Sequence, residues 1–450
     1  MIRLSLKQIA AITGGSLLPG SDAGLEIVGL ATDSRQPLAG ELFVALPGQR
    51  FDGHEYVAAA LAQGAAAVLV ARPVAAPGVL VADTLVALQA LAAHWRRQFT
   101  LPVAAVTGSC GKTTVKEILA AILAQEGPVL ASRGNQNNHI GVPLTLARLG
   151  PEHRYAVLEM GMNHAGELAL LTRLAQPRLA LITNAAAAHL EGLGTVAAVA
   201  MAKGEILEGL DPQGTAVLNA DDPFVEDWAE KAPGEVWRFT LEDRPARVRG
   251  RWEAMGQGGH LELRAPQGEF GLALPLAGRH NGANALAAAT AALALGIPIA
   301  TIQRGVATLR PIPGRLQWRS GKAGYRLLDD TYNANPASLE AAMQVLAAQT
   351  GRRILILGDM GELGPAGLAY HRQAGQRARA LGIDALLALG PLAAEAAAAF
   401  GADAAAAFDD LEALLEAVAP LLEPDCVVLV KGSRAARMER VVTALSMEVA

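Results

Sequence analysis

A glycine-rich run at residues 107–114 constrains the fold of this chain more than any other feature of the sequence. The run reads Thr-Gly-Ser-Cys-Gly-Lys-Thr-Thr, follows the apolar stretch 102–106 and opens a helix-like segment at 113–123. In such a strand, turn and helix, backbone N–H groups face phosphate oxygens, a lysine reaches the terminal phosphates, and a threonine hydroxyl holds Mg²⁺. The run predicts a nucleoside triphosphate site formed by Gly108, Ser109, Cys110, Gly111, Lys112, Thr113 and Thr114.

The spacing of the two glycines departs from the usual pattern. Gly108 and Gly111 have two residues between them, whereas the common phosphate loop has about four. The run by itself therefore leaves the class of nucleotide-binding protein open.

The composition is that of a globular protein of about three domains. The 450 residues are 52% hydrophobic and 18% charged, the formal net charge is −5, and no run of Lys or Arg occurs. This charge balance argues against nucleic acid or an anionic membrane as a partner. Residues 1–7 do not resemble a signal peptide, and of the two cysteines, Cys110 and Cys426, one lies in the phosphate loop, where a disulfide would obstruct a ligand. We therefore expect a cytoplasmic protein.

Two alanine-rich stretches need an interpretation. Residues 281–303 carry no charge, but Gly296 and Pro298 interrupt them, so we expect a buried helix rather than a membrane span. Residues 393–407 predict a helix because alanine has the highest helix propensity.

Short apolar runs that end in Gly, Asn or Asp alternate with longer Ala- and Leu-rich stretches along the chain. This alternation predicts an α/β fold with parallel sheets covered by helices. The run 310–315, Arg-Pro-Ile-Pro-Gly-Arg, predicts a hinge because two prolines and a glycine prevent regular structure. We expect a small first domain at 1–83, a middle domain at 84–312 and a third domain at 313–450.

The apolar runs also predict individual elements. In the first domain, strands are expected at 42–46 and 66–70 around a helix at 56–63. The stretch 237–274 is Gly-rich and alternating, which predicts antiparallel strands. The other expected strands are 103–106, 156–159, 179–183 and 215–219 in the middle domain and 326–328, 354–357, 385–389 and 427–430 in the third.

Polar side chains follow several of these strands, where ligands gather in open α/β sheets. Glu159 ends one strand and is placed to hold Mg²⁺, although a solvated strand end is an equal alternative. His189 follows another strand and is a candidate for a second metal or for phosphate, but a lone histidine is more often structural. The cluster Asn135, Asn137, Asn138 and His139 offers ligands for phosphate or substrate oxygens, and a turn is the simpler interpretation.

Six runs of the sequence form a set: 107–114, Asn-Gln-Asn-Asn at 135–138, Glu-Met-Gly at 159–161, His-Asn-Gly-Ala-Asn at 280–284, Asp-Asp-Thr-Tyr-Asn-Ala-Asn-Pro at 329–336 and Lys-Gly-Ser-Arg at 431–434. Together they resemble the Mur ligases of peptidoglycan synthesis. The resemblance covers essentially the whole chain and accounts for the short phosphate loop, because that family uses a compact Gly-x-x-Gly-Lys-Thr form. It implies a small N-terminal α/β domain, a central P-loop-type ATPase domain with a parallel sheet, and a Rossmann-like C-terminal domain.

Four runs resemble the branch of the family that joins D-alanyl-D-alanine to UDP-N-acetylmuramoyl-tripeptide. They are Thr-Asp-Ser-Arg at 32–35, Phe-Asp-Gly-His at 51–54, Tyr-Asn-Ala-Asn-Pro at 332–336 and Gly-Asp-Met-Gly-Glu-Leu-Gly at 358–364. This likeness implies a monomeric ATP-dependent ligase that acts through an acyl phosphate. The alternatives are ligases that add the third amino acid or glutamate to folate, which these runs disfavour, and a phosphate-loop switch protein of a different class.

The resemblance also implies roles for the candidate catalytic residues. Lys112 and the loop amides would hold the β- and γ-phosphates of ATP, Thr113 and Glu159 would share one Mg²⁺, and His189 would help to place a second. Lys203 matches a position at which the family often carries a carbamylated, metal-binding lysine, although an exposed helix lysine is the ordinary interpretation of that residue alone.

The remaining implied roles concern the substrates. Asn281 would contact adenine, Arg315 phosphate and Asp330 the ribose; a satisfied core amide and a salt bridge are the ordinary alternatives for Asn281 and Arg315. Ser34 and Arg35 would engage the UDP-sugar, although Thr-Asp-Ser-Arg alone predicts a turn. The implied site of the incoming dipeptide comprises Tyr332, Asn333, Asn335, Lys431, Ser433 and Arg434.

Overall fold

The computed structural model describes residues 1–48 and 51–447. Over these residues the first part of the chain forms a two-stranded sheet, β1-β3, and a five-stranded sheet in the order β2-β7-β6-β5-β4. Strands were expected at 42–46 and 66–70, and both form. The elements are β1 Arg3–Ser5, α1 Leu6–Thr13, β2 Ser16–Leu17, β3 Glu26–Val28, β4 Leu30–Ala31, β5 Leu42–Val44, α2 Val57–Ala62, β6 Ala67–Val70 and β7 Gly78–Leu80.

The central part of the chain forms a sheet that has nine strands within the described residues, in the order β16-β15-β14-β13-β12-β11-β8-β10-β9. Its elements are α3 Thr84–Arg96, β8 Val103–Thr107, α4 Lys112–Leu123, β9 Val129–Ala131, α5 Gly141–Leu146, β10 Tyr155–Glu159, α6 Glu167–Ala175, β11 Leu179–Ile182, α7 Leu190–Leu193, α8 Val196–Gly204, β12 Thr215–Asn219, α9 Val225–Lys231, β13 Glu235–Thr240, β14 Val248–Met255, β15 Gly258–Ala265, β16 Gly268–Leu274, α10 Arg279–Ala294 and α11 Ile299–Ala307.

The prediction of antiparallel strands throughout 237–274 was wrong for its first part. β13 pairs in parallel with β12 and with β14, and the antiparallel pairs are β14 with β15 and β15 with β16. Helix α9 explains the parallel pairing of β12 with β13, because it crosses over between them and returns the chain to the same end of the sheet.

Side chains of the central strands point alternately to two cores. Along β8, Ala104 and Val106 pack with Leu119 of α4, whereas Val103 and Ala105 pack with Leu158 of β10 on the opposite face. A strand buried on both faces is continuously apolar, as the sequence of β8 is. This packing fixes the carboxyl end of β8, and therefore the phosphate loop that follows it.

The last part of the chain forms a sheet of six strands, counted over residues 51–447, in the order β17-β18-β22-β19-β20-β21. β17 is antiparallel to β18 and the other pairs are parallel. The elements are β17 Gln317–Ser320, β18 Arg326–Asp330, α12 Pro336–Ala347, β19 Arg353–Gly358, α13 Gly367–Ala380, β20 Ala385–Leu389, α14 Ala393–Phe400, β21 Ala405–Phe408, α15 Leu411–Val418, β22 Val427–Lys431 and α16 Glu439–Leu445. Short 3-10 helices lie at Gly53–Tyr56, Glu205–Gly209, Gly364–Ala366, Ala419–Leu421 and Arg434–Ala436.

Both alanine-rich stretches are interrupted. The helix predicted over 393–407 ends at Phe400, where Gly401 takes a φ of +122° that other residues rarely adopt, and the following alanines form β21 against β20. Residues 281–303 divide into α10 and α11 at Gly296 and Pro298, as expected. In the described ranges no helix is long and apolar enough to cross a membrane.

The central and last parts of the chain also touch through a side chain of β17. The indole Nε1–H of Trp318, in β17, donates a hydrogen bond of 3.1 Å to the carbonyl oxygen of Gln257, in the turn between β14 and β15. The guanidinium of Arg326 lies over the face of the Trp318 ring, 5.4 Å from the ring centroid. This contact holds the hairpin tip against the edge of the last sheet.

Candidate active site

A cavity of about 940 Å³ lies at the carboxyl ends of the central and last sheets. The residues predicted to bind ATP, metal or substrate all line it, except Gly108, Lys203, Ser34 and Arg35. Chain segments separated by hundreds of residues therefore meet at one site.

The two loop glycines have no room for a side chain. Gly108 has a φ of +149°, and a Cβ atom there would lie 1.8 Å from Thr183 Oγ1. Gly111 has a φ of +85°, and its Cβ would lie 2.2 Å from Asn284 Oδ1. Both positions therefore require glycine, for backbone conformation and for space.

Asn184, to which the sequence assigned no role, braces the phosphate loop. Its carbonyl accepts the N–H of Ser109 at 2.9 Å, and its Oδ1 accepts the N–H of Cys110 at 3.0 Å. Its Nδ2 donates to the Cys110 carbonyl at 3.2 Å. These bonds use the amides of Ser109 and Cys110, so the amides available to a phosphate include those of Gly111 and the first turn of α4.

Lys112 is folded back on its own loop. Its Nζ donates a hydrogen bond of 2.7 Å to the Gly108 carbonyl. Burial lowers the pKa of Lys112, and the nearby Glu159 carboxylate opposes that shift. A phosphate anion would stabilise the charged ammonium that burial disfavours.

Glu159 offers a carboxylate oxygen suited to a cation. Asn137 Nδ2 donates to Glu159 Oε1 at 2.8 Å. Among the residues that the structure describes, no donor reaches Oε2, although that atom is buried. A buried carboxylate oxygen without a partner is costly unless a ligand satisfies it. This oxygen fits Mg²⁺, which prefers oxygen ligands.

Thr113 offers a second oxygen to the same cavity. Its Oγ1 accepts a hydrogen bond of 3.2 Å from Arg315 Nη2, whose guanidinium carbon lies 4.1 Å from the Tyr332 ring centroid. The described residues contain no group of three or more His, Cys, Asp or Glu side chains that could hold a metal ion. Mg²⁺ at this site would therefore depend on phosphate oxygens together with Thr113 and Glu159.

His189 pairs with a residue to which the sequence analysis gave no individual role. Glu362 Oε2, from the loop after β19, lies 2.7 Å from His189 Nδ1, and both residues line the cavity. This contact with His189 is the main cause that lowers the pKa of Glu362. His189 and Glu362 have φ values of 56° and 63°, a conformation that costs a non-glycine residue about 1 kcal/mol or more.

Lys203 lies in α8 behind the cavity and is 1% exposed. Burial is the main cause that holds its pKa well below the ordinary value, and the charge of Lys112 lowers it further. Within residues 1–48 and 51–447, no carboxylate forms an ion pair with its amine. The exposed-lysine interpretation of this residue was therefore wrong, because its amine is enclosed in the protein.

The two buried asparagines of α10 are hydrogen-bonded to each other. Asn281 Nδ2 donates to the Ala277 carbonyl at 2.8 Å, and Asn284 Nδ2 donates to Asn281 Oδ1 at 3.1 Å. The neighbouring His280, which the sequence did not single out, also lines the cavity, and burial lowers its pKa to about 4. This end of α10 thus presents amide groups and a neutral imidazole to the cavity.

The last sheet contributes a buried ion pair to the cavity. Lys431 Nζ donates to Asp330 Oδ2 at 2.5 Å and to the Asn333 carbonyl at 2.9 Å. The other oxygen of Asp330 accepts the N–H of Leu316 at 3.2 Å. Both predicted ligand-binding residues are therefore engaged with each other in this structure.

Three other predicted residues have structural contacts as well. Asn335 Oδ1 caps α12 by accepting the Ser338 N–H at 2.8 Å, and the Asn335 amide lies 3.3 Å from Cys110 Sγ. Asn138 Oδ1 accepts the Gly141 N–H at 2.9 Å at the start of α5. Ser433 is buried at the cavity wall.

Ser34 and Arg35 lie outside the cavity, in the first part of the chain. Arg35 is exposed and forms two hydrogen bonds of 2.8 Å with Asp33, which lower the pKa of that carboxyl to about 2. The contact is local, as the turn interpretation of this run expects. The structure does not bring these two residues to the phosphate loop.

Comparisons with known proteins agree along the whole chain. Three family models match: the catalytic domain of the Mur ligase family at 26–96, the Mur ligase middle domain at 106–292 and the Mur ligase glutamate ligase domain at 314–434. The UDP-N-acetylmuramoyl-tripeptide--D-alanyl-D-alanine ligase of Escherichia coli K12 is 45% identical, over 99% of both chains.

Two solved structures are also similar. A crystal structure of MurF from Acinetobacter baumannii is 37% identical with a TM-score of 0.92, covering 99% of both chains. MurF ligase from Thermotoga maritima in complex with ADP is 28% identical with a TM-score of 0.82, covering 92% of this chain and 96% of that one. Because a relative of 45% identity extends over the full length and the folds coincide, the chain belongs to the Mur ligase family.

Proposed function

We propose that the chain is an ATP-dependent amide ligase that adds D-alanyl-D-alanine to UDP-N-acetylmuramoyl-tripeptide in peptidoglycan synthesis. The products are ADP, phosphate and UDP-N-acetylmuramoyl-pentapeptide. The observation that carries this proposal is the shared cavity, in which the phosphate loop faces polar strand ends of the last sheet. The E. coli relative bears the name of this activity.

Amide formation from a free carboxylate is uphill, so the carboxylate must first be activated. In the proposed reaction the γ-phosphoryl group of ATP moves to the tripeptide carboxylate, giving an acyl phosphate. The dipeptide amine then attacks the acyl carbon, loses a proton and displaces phosphate. Positioning and charge stabilisation provide most of the catalysis of phosphoryl transfer.

The phosphate loop would hold the nucleotide. Lys112 would leave the Gly108 carbonyl, 2.7 Å away, and donate to the β- and γ-phosphates. The remaining loop amides would bind the same oxygens. Thr113, Glu159 and His189 would hold Mg²⁺, which when bound neutralises charge on the phosphate oxygens.

Other residues would position ATP, the UDP-linked tripeptide and the dipeptide. Asn281 would contact adenine, Asp330 the ribose and Arg315 a phosphate; the contact of Arg315 with Thr113 already places it beside the loop. Asn137 and Asn138 would bind substrate oxygens, and Ser34 and Arg35 the UDP-sugar. Residues proposed for the dipeptide are Tyr332, Asn333, Asn335, Lys431 and Ser433.

We also propose that Lys203 is carbamylated. Carbon dioxide adds to a neutral amine with loss of a proton, and burial of Lys203 favours the neutral amine. The resulting carbamate is an anion with two oxygens, which suits a metal-binding role.

Domain boundaries, cellular location and assembly belong to the same proposal. We place the boundaries between residues 83 and 84 and between 312 and 313, so that each main sheet lies in one domain. We place the enzyme in the cytoplasm as a monomer, with no nucleic acid or membrane as a partner.

The decisive assay combines purified protein with ATP, Mg²⁺, UDP-N-acetylmuramoyl-tripeptide and D-alanyl-D-alanine. We expect ADP and phosphate to appear when both peptide substrates are present, together with a UDP-linked pentapeptide in the mass spectrum. A switch protein would hydrolyse ATP equally without the dipeptide, and that result would refute the ligase proposal.

The thiol of Cys110 provides an independent test of nucleotide binding. Cys110 lines the cavity, whereas Cys426 is fully buried and serves as an internal control. We expect iodoacetamide to alkylate Cys110 and not Cys426. If the nucleotide covers the loop, Mg²⁺ with ATP should slow alkylation of Cys110 at least tenfold, which corresponds to about 1.4 kcal/mol of protection. Peptide mass spectrometry measures both rates. Equal alkylation with and without nucleotide would contradict the location of the site.

A further inference from the structure

Two loops from different parts of the molecule meet beside the cavity through His189 and Glu362. The Glu362 carboxylate lies 2.7 Å from His189 Nδ1, and the Glu362 carbonyl accepts the N–H of Glu191 at 3.2 Å. Both His189 and Glu362 adopt left-handed backbone conformations. Such conformations in non-glycine residues persist where the surrounding structure enforces them, and they cluster at functional sites.

The loop of Glu362 is fixed from behind by a buried histidine. Met360 donates its N–H to His371 Nε2 at 2.9 Å, and His371 Nδ1 lies 2.7 Å from the Gly367 carbonyl. Because Nε2 accepts a hydrogen bond, the proton of this ring is on Nδ1, where it is donated to the carbonyl. The position of Glu362 is therefore set by helix α13, which carries His371.

The carboxylate decides which nitrogen of His189 is available to a ligand. A carboxylate beside Nδ1 keeps a proton on that atom and leaves the lone pair of Nε2 as the acceptor. Carboxylates that contact metal-binding histidines in this way fix the ring orientation and raise the basicity of the ligand nitrogen. Both side chains line the cavity that contains the phosphate loop.

We propose that Glu362 is a positioning residue that orients His189 so that its Nε2 faces the metal ion accompanying the ATP phosphates. The inference rests on the proposed function of the cavity. Glu362 follows β19 of the last sheet and His189 follows β11 of the central sheet. His189 is therefore oriented only while the central and last parts of the chain are in contact. Contact between these two parts should consequently raise the affinity of the site for the metal ion.

Metal binding without turnover tests this role. The full chain is titrated with Mn²⁺, a paramagnetic substitute for Mg²⁺, in the presence of a non-hydrolysable ATP analogue, and free Mn²⁺ is followed by electron paramagnetic resonance. We expect Glu362→Ala to weaken one class of bound Mn²⁺ about tenfold and to leave the class held by Thr113 and Glu159 unchanged. Glu362→Gln, which keeps an oxygen acceptor beside Nδ1, should retain most of the affinity.

A double-mutant cycle separates orientation of His189 from general support of the loop. We expect His189→Ala to weaken the same class of Mn²⁺, and Glu362→Ala to add nothing in that background. Glu191→Gln is the matched control, since it removes an exposed neighbouring charge while keeping the backbone N–H that contacts Glu362. It should bind Mn²⁺ as the unmodified protein does.

Two results would overturn the proposal: unchanged Mn²⁺ binding by Glu362→Ala, or an equal loss of affinity from Glu362→Ala with and without His189. If Glu362→Ala does not fold, as judged by circular dichroism, Glu362→Met fills similar space without an acceptor and carries the test. Pentapeptide formation by the unmodified protein is measured separately, so failure of the proposed function is distinguishable from failure of this inference.

Discussion

Lys112→Ala is expected to lower the rate of pentapeptide formation about 10³-fold. This loss is at the upper end of the range for removal of one preorganised hydrogen-bond donor. The side chain is half-buried at the cavity, where its ammonium donates to the Gly108 carbonyl and lies in the field of the Glu159 carboxylate. In a site shielded from water, the attraction between this ammonium and the transferring phosphoryl group is strong. Steady-state kinetics with saturating substrates measures the loss.

The matched control is Lys322→Ala, which removes a lysine at an exposed turn of the last sheet. We expect it to leave kcat and KM unchanged. Circular dichroism and thermal unfolding establish that both variants are folded. Retention of most activity by Lys112→Ala would show that the phosphate-loop assignment is wrong.

Lys203→Ala is expected to be inactive under ordinary conditions and to regain part of its activity in acetate or formate. If the buried amine acts as a carbamate, its removal deletes an anion from the metal site, which costs at least about 10²-fold in rate. A small carboxylate can enter the space left by the side chain and supply the missing oxygens. The measurement is initial rate against carboxylate concentration.

Lys231→Ala, at the exposed end of neighbouring helix α9, is the control and should respond to carboxylate as the unmodified protein does. Lys203→Met keeps more of the buried volume, and it should be as inactive as the alanine variant but rescued less because the space is filled. Full activity of Lys203→Ala without added carboxylate would rule out the carbamate.

The sequence predicted most of the α/β fold because its central strands are buried on both faces and are therefore continuously apolar. The strands at 215–219 and 385–389 begin and end where they were expected. The helix predicted over 393–407 was wrong in its last part, where the amino-acid composition favours a helix but strand pairing favours a strand. Residues 405–408 are mostly alanine and favour a helix, but β20 offers a free edge and Gly401 ends the preceding helix.

The candidate site was predictable where its residues form local motifs. The phosphate loop is one run of sequence, and the close contacts with Thr183 and Asn284 explain why positions 108 and 111 are glycine. Glu362 and the bracing role of Asn184 were not predicted, because each depends on a partner brought near by the fold. The engagement of Lys431 with Asp330 was likewise hidden, since the two strands are adjacent in space and remote in sequence.

The contact between Trp318 and Gln257 gives the molecule an intrinsic optical signal for movement of its last sheet. The indole N–H is hydrogen-bonded across the boundary between the central and last parts of the chain. If the last sheet rotates away from the central one, the Trp318 indole N–H loses the Gln257 carbonyl and binds water instead. The fluorescence emission of Trp318 then changes. The enzyme could then be followed in real time through its substrate cycle with no dye attached near the cavity.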